Sequence, residues 1–170
     1  MDPVVLVVMG VSGAGKSTLA KALAERLGWS FQEGDALHPA ANVAKMAVGT
    51  PLDDADRWPW LDAVGGWIDG CVAEGRNGVI TCSALKRAYR ERLARDRPGV
   101  RFVFIRLAPE VIAARLEHRE DHFMPPSLLT SQFEALEPPD DDEPVIVVDG
   151  GLSSAEQAGA VLNQLAAADR

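Results

Sequence analysis

Gly10-Val11-Ser12-Gly13-Ala14-Gly15-Lys16-Ser17 has the spacing G-x-x-x-x-G-K-[ST] and follows directly on the apolar run Val4 to Met9. Glycines at these places let the chain curl with its N–H groups pointing inward, a nest for phosphate oxygens at the start of a helix. Lys16 has the length to reach the outer phosphates of a nucleoside triphosphate, and the Ser17 hydroxyl can ligate a Mg²⁺ lying between them. The run from Gly10 through Thr18 is therefore the expected nucleotide-binding element. A strand entering it and a helix leaving it are the context that separates a phosphate loop from an ordinary glycine turn.

A second group of residues could serve the acceptor. Gly34-Asp35 follows a predicted strand, which places a carboxylate at the sheet edge where the phosphate loop lies. Asp35 could take or orient the proton of an attacking hydroxyl and hold a water on Mg²⁺; an aspartate in a turn equally caps the next helix. His38 and Arg57 could bind carboxylate or hydroxyl groups, Arg57 as a two-pronged donor. Alternatively, His38 is structural and Arg57 pairs with Asp53, Asp54 or Asp56. After the third predicted strand, Ser83 stands at a strand-to-helix turn and Lys86 in the opening helical turn, where both could face substrate or serve only as cap and solvated cation. The usual acid at the end of that strand is missing, a role Asp35 could fill. Cys82 has no base implied beside it, and phosphoryl transfer to a hydroxyl needs no covalent cysteine. Trp58, Trp60 and Trp67 are expected to pack on the core rather than join the site.

These residues need a frame. Short β-rich runs alternate with longer amphipathic stretches, the pattern of βαβ units around a parallel sheet, so a three-layer α/β fold is expected. Strands are predicted at Val4–Met9, around Trp29–Glu33, and at Gly78–Cys82, Arg101–Arg106 and Pro144–Val148. Helices are predicted over Ser17–Leu27, ended by Gly28, over Glu110–Arg119 after Pro109, and after the Ser153-Ser154-Ala155-Glu156 capping box. The stretches 36–70 and 119–129 break the rhythm. The first is too rich in special residues for an ordinary crossover helix and reads as a substrate lobe; the second reads as a segment closing over the strand ends.

A length of 170 residues fits one domain with a core of its own. The net charge of −8 argues against nucleic acid as a partner. Cations gathered at Lys16, Lys86-Arg87, Arg115 and Arg119 suit a local anionic ligand. The two cysteines, Cys71 and Cys82, lack the spacing of a disulfide framework or zinc site and fit a reducing cytosol. Val4 to Met9 is too short to be a signal segment or membrane span, so a cytoplasmic location without a membrane partner is expected.

Several motifs together carry a resemblance: the phosphate loop, Gly34-Asp35-x-x-His38-Pro39, Asn42-x-x-Lys45-Met46, Gly49-x-Pro51-Leu52-x-Asp54-x-Asp56-Arg57-x-Pro59-Trp60-Leu61, Cys82-Ser83-Ala84-Leu85-Lys86, His122-Phe123 and Gln132-Phe133-Glu134-x-Leu136-Glu137. From Val7 to Asp149 the chain resembles the bacterial-type gluconokinases. The resemblance implies ATP-dependent phosphorylation of D-gluconate at its 6-hydroxyl, feeding the pentose phosphate or Entner–Doudoroff route. It also implies the P-loop NTPase fold of shikimate and nucleoside-monophosphate kinases, with a five-stranded parallel sheet, a mobile lid and commonly a homodimer. Carried over by position, Lys16 and Ser17 serve the phosphates and Mg²⁺, and Asp35 is the acceptor-side carboxylate. Arg115 and Arg119 resemble the lid-hinge arginines, the first stacking on adenine and the second reaching the transferring phosphate, although two cations near a helix end are also favoured by its dipole. Glu120-Asp121 departs from the basic-Gly pair that many family lids carry before His-Phe. The alternatives are a kinase for shikimate, another sugar acid or adenylylsulfate, and, from another class, a nucleotide-binding regulatory module.

Overall fold

In a computed structural model of the protein, residues 2–108, 110, 111, 114 and 126–168 are described, those of 126–130 by their backbone alone. Five strands, β1 (Val5–Met9), β2 (Ser30–Gln32), β3 (Gly78–Thr81), β4 (Val100–Arg106) and β5 (Val145–Asp149), form one sheet in the order β2-β3-β1-β4-β5. Every pairing is parallel, with Val5 of β1 set between Gly78 and Val100. A parallel sheet needs crossovers on its faces, so its central strand is covered on both sides and reads as an unbroken apolar run. All five residues of β1 are buried accordingly.

The two faces have separate cores. Leu6 and Val8 point toward α1 (Lys16–Leu27) and the last helix, α6 (Ser154–Ala168), whereas Val5, Val7 and Met9 point toward α3 (Asp54–Ala73) and α4 (Arg87–Ala94). Each such side chain contributes about 1.5–3 kcal/mol by leaving water. Helix α1 stops where Gly28 takes a φ of +70° and returns its N–H to the Ala24 carbonyl. Helix α6 opens on the expected box, with Glu156 N–H donating to Ser153 Oγ at 3.1 Å and Ser153 N–H to Glu156 Oε1 at 3.2 Å.

The stretch expected to be irregular is mostly helical. It holds a 3-10 turn over Gly34–Leu37, α2 (Ala40–Ala47) and the 20-residue α3. A capping box of Asp53 and Asp56 starts α3, and Trp60, Leu61, Val64, Ile68 and Cys71 bury one side of it against the sheet. That packing outweighs the hydrogen bond lost at Pro59, near the helix start. Special residues thus marked a cap and a ligand-facing end, not a loop. Helix α5 (Pro126–Ala135) follows the residues outside the description. Of the expected lid, 119–125 lies outside the described residues and 126–129 opens α5. The helix expected over Glu110–Arg119 also lies largely outside them. Among the described residues no helix is long and apolar enough to cross a membrane.

Candidate active site

Strand β1 delivers the chain to Gly10, whose φ of +145° and whose closeness to the Ile105 carbonyl, 3.2 Å from where a Cβ would stand, leave room for glycine alone. Gly15, at φ +98°, opens α1 with no side-chain cap, so the first-turn amides remain available to an anion. The Lys16 ammonium folds over this loop and donates to the carbonyls of Gly10 at 2.9 Å and Val11 at 3.1 Å. Burial lowers its pKa, against which the charges of Asp35 and Glu33 act.

Ser17 does not meet Asp35. Its hydroxyl donates to the Glu33 carboxylate, with the two oxygens at 2.9 and 2.7 Å, and the Thr81 hydroxyl at the end of β3 donates to the same carboxylate. Thr81 Oγ1 also accepts from the Gly34 N–H at 3.0 Å, which ties the turn after β2 to β3. Glu33 escaped the sequence reading because attention fell on Asp35; its signal is an acid closing a strand that ends beside the phosphate loop. Among the described residues no three His, Cys, Asp or Glu side chains converge as a ready metal cage. One hydroxyl and one carboxylate fit Mg²⁺, which is usually held by one or two protein oxygens together with phosphates and water.

Ser12 and Lys16 share a pocket with Asp35, His38, Arg57, Trp60, Ser83 and Gln132. Asp35 sits on the 3-10 turn, which approaches β3 so closely that a Cβ on Gly34 would lie 1.7 Å from the Thr81 carbonyl oxygen. Trp60 Nε1–H donates to the Gly34 carbonyl at 2.9 Å and its ring stacks on His38, centroids 4.1 Å apart and planes 15° from parallel. Trp60, set aside from sequence, is therefore both core and pocket wall. Trp58 meets Tyr89 edge-on, and Trp67 packs on the core below, as expected. His38 Nε2 lies 3.9 Å from Asp35 Oδ1. Burial lowers the His38 pKa, Asp35 raises it and Arg57 lowers it.

Arg57 pairs with none of its neighbouring aspartates. Asp53 and Asp56 cap α3, Asp56 also takes Lys45 at 2.7 Å, and Arg57 Nη1 donates to the Tyr89 hydroxyl at 2.9 Å. That hydroxyl donates to Asp54, which also receives Lys86 Nζ at 3.0 Å. Lys86 thus stands not in the inner pocket with Asp35 but on the adjoining groove, whose wall it shares with Arg57 and Asp54. The turn carrying Ser83 and Lys86 includes Ala84 at φ +43°, a strained conformation held by the buried Arg90, which donates to the Ala84 and Leu85 carbonyls at 3.0 and 3.2 Å and pairs with Glu143.

Gln132, on α5, reaches back to the phosphate loop: its Oε1 accepts the Ser12 N–H at 2.6 Å. Thr18 is exposed on α1. Burial pushes the Cys82 thiol up to about 12, leaving it neutral and unsuited to nucleophilic attack. Arg115 and Arg119 lie outside the described residues.

The arrangement has relatives. An AAA domain family matches residues 5–139. A gluconokinase from Gluconobacter oxydans is 58% identical over 150 residues, spanning 88% of this chain and 84% of that protein. Among solved structures, a gluconokinase from Sinorhizobium meliloti is similar at a TM-score of 0.86 and 47% identity, covering 96% of this chain and 92% of the other. A sugar kinase from Janibacter is similar at a TM-score of 0.91 and 44% identity, covering 96% and 94%.

Proposed function

The chain belongs to the gluconokinase family, and on that premise we propose that it transfers the γ-phosphoryl group of ATP to the 6-hydroxyl of D-gluconate, yielding ADP and 6-phospho-D-gluconate. One observation carries the proposal at the level of geometry: the phosphate-loop residues Ser12 and Lys16 and the acceptor-side residues Asp35, His38 and Arg57 line the same pocket. A phosphoryl group held on the loop would share that pocket with a hydroxyl held by Asp35, the proximity that direct transfer needs.

In this reading the amides of the loop and the first turn of α1 hold the phosphates. Lys16 releases the two loop carbonyls and stabilises charge on the transferring group. Asp35 orients the 6-hydroxyl and takes its proton as the new O–P bond forms and the bond to ADP breaks. Arg57 and Lys86, one side chain deep and one on the groove, hold the acceptor's carboxylate at the far end. Ser17 and Glu33 would hold Mg²⁺, with Asp35 acting on it through a water; when bound, the ion would neutralise charge between the β- and γ-phosphates. By resemblance Arg115 goes to adenine and Arg119 to the transferring phosphate, in a lid over 119–129, while 36–70 forms the acceptor lobe. A cytoplasmic homodimer supplying 6-phosphogluconate to sugar-acid metabolism completes the proposal.

The test is coupled ADP release with Mg·ATP, comparing D-gluconate with shikimate, 2-keto-3-deoxygluconate, glucose and no acceptor. Gluconate-dependent release is expected. Release with another acceptor would move the substrate assignment, and nucleotide binding without release would favour a regulatory module.

A further inference from the structure

Donor and acceptor accounting settles the protonation of His38. Asn42 is buried on α2, and its Nδ2 lies 3.2 Å from His38 Nδ1 while donating to the Asp56 carbonyl at 2.9 Å. The reversed amide would set its oxygen against that carbonyl oxygen, so the NH₂ group must occupy this position. An amide nitrogen has hydrogens to give and no lone pair to offer, so His38 Nδ1 can only accept. The ring proton therefore resides on Nε2, the nitrogen that faces Asp35 at 3.9 Å. Turning the ring over would keep its plane on Trp60 but set Cδ2 against the Asn42 amide and Cε1 toward Asp35, so the polar neighbours fix its orientation.

We infer that His38 is a specificity-determining residue of the acceptor site: a neutral imidazole whose Nε2–H, paired with the Asp35 carboxylate, reads one hydroxyl of the acceptor as hydrogen-bond donor and acceptor at once. The inference rests on the gluconate reading above only for the identity of that acceptor. A separation of 3.9 Å is too long for a direct bond between the two groups. It suits an oxygen about 2.7–3.0 Å from each, which subtends roughly a right angle and has its proton toward Asp35 and a lone pair toward His38. A hydroxyl satisfies both partners. A carbonyl oxygen leaves Asp35 facing a lone pair, and a protonated amine leaves the Nε2–H unanswered. His38 is accordingly not the base of the reaction, a role its proton on the pocket side denies it.

Protonation of Nδ1 would direct a new N–H at the Asn42 amide hydrogens, and the charged groups around the ring are divided. Asp35, on the same turn, favours a cation; Arg57 on α3 opposes one, as does burial. Lys16 of the phosphate loop lines the same pocket, and Asp56 has its carboxylate taken by Lys45. Burial foremost, with Arg57, holds the His38 pKa below its ordinary value, which favours the neutral form at neutral pH.

Nitrogen-15 NMR of the intact protein tests the tautomer, with the His38 signals identified among those of the chain's three histidines by their loss in His38→Gln. The expected result is a bare, pyridine-type Nδ1 and a protonated Nε2 at neutral pH. A proton on Nδ1, or a doubly protonated ring at neutral pH, would overturn the inference. Steady-state kinetics test the reading of the hydroxyl. Glutamine places a donor near the Nε2 position, so His38→Gln should keep the KM for gluconate within a few-fold, whereas His38→Ala should raise it about tenfold while the KM for ATP stays put. Equal behaviour of the two variants would overturn the role in acceptor recognition. An enzyme inert toward gluconate but showing the Nε2–H tautomer would remove the acceptor named above and uphold the tautomer.

Discussion

Lys16 is held by two carbonyls of its own loop, five and six residues behind it, whereas Arg57, in the same pocket, is held by Tyr89, 32 residues ahead. The phosphate end is made from contiguous backbone: a glycine-rich turn, a left-handed Gly15 and an uncapped helix start. The proposed acceptor end is made from side chains on the 3-10 turn, α2, α3 and α4, held by other side chains. Asn42 and Trp60 set His38; Tyr89 and Asp54 set Arg57 and Lys86. Phosphate is a common ligand that a fixed backbone nest can hold with few side chains. A polyol acid must be told apart from its analogues, which takes placed donors and acceptors and a second layer to hold them.

The division can be broken most severely at Lys16, whose ammonium lies over the backbone-built end. Lys16→Met should lower turnover by about a thousandfold or more in the ADP-release assay, since a charge that stabilises the transferring group is removed. Near wild-type turnover would empty the phosphate end of its role. Next comes the seam between the two ends. Gly34→Ala must push the 3-10 turn off the Thr81 carbonyl, and a destabilisation of about 3 kcal/mol is expected in chemical denaturation. A rise in the gluconate KM should accompany it. An unchanged midpoint and KM would mean that the turn is not pinned to β3.

Tyr89→Phe sharpens the comparison without large structural cost. Losing the hydroxyl frees Arg57 and one partner of Asp54, so the gluconate KM should rise about tenfold while that for ATP moves less than about twofold. A shift in the ATP constant instead would show that the ends are not separable. The smallest effect is expected at Cys82. With its thiol pushed up to about 12 the group is protonated at neutral pH, so no thiolate is lost there in Cys82→Ala. Turnover of that variant should stay within about threefold of wild type, and a collapse would require a covalent step.

The same division decides what could be read from sequence. The phosphate loop, its strand and α1 were legible because their function lies in contiguous spacing, and β1 and β3 because buried parallel strands are near-continuous apolar runs, whereas β2 is a half-buried Ser30-Phe31-Gln32. The residues proposed for the acceptor, Asp35, His38, Arg57 and Lys86, could be picked out by type but not by arrangement. Lys86 turned out to be on the adjoining groove, and α3 was mistaken for irregular chain because its aspartates, proline and tryptophans are capping and packing residues that composition cannot distinguish from loop residues. Tyr89 drew no notice, since nothing near it in sequence announces contacts with Asp54 and Arg57. Glu33 was hidden by its neighbour Asp35, and only the hydroxyls of Ser17 and Thr81 reveal it.

The most direct measurement is a crystal structure with Mg²⁺, a non-hydrolysable ATP analogue and D-gluconate bound together. The account predicts the γ-phosphate on the loop beside Lys16, the 6-hydroxyl within hydrogen-bond reach of Asp35, and the gluconate carboxylate toward Arg57 and Lys86. Gluconate bound in the opposite sense, with its carboxylate at Asp35 and Lys16, or bound outside this pocket, would contradict it.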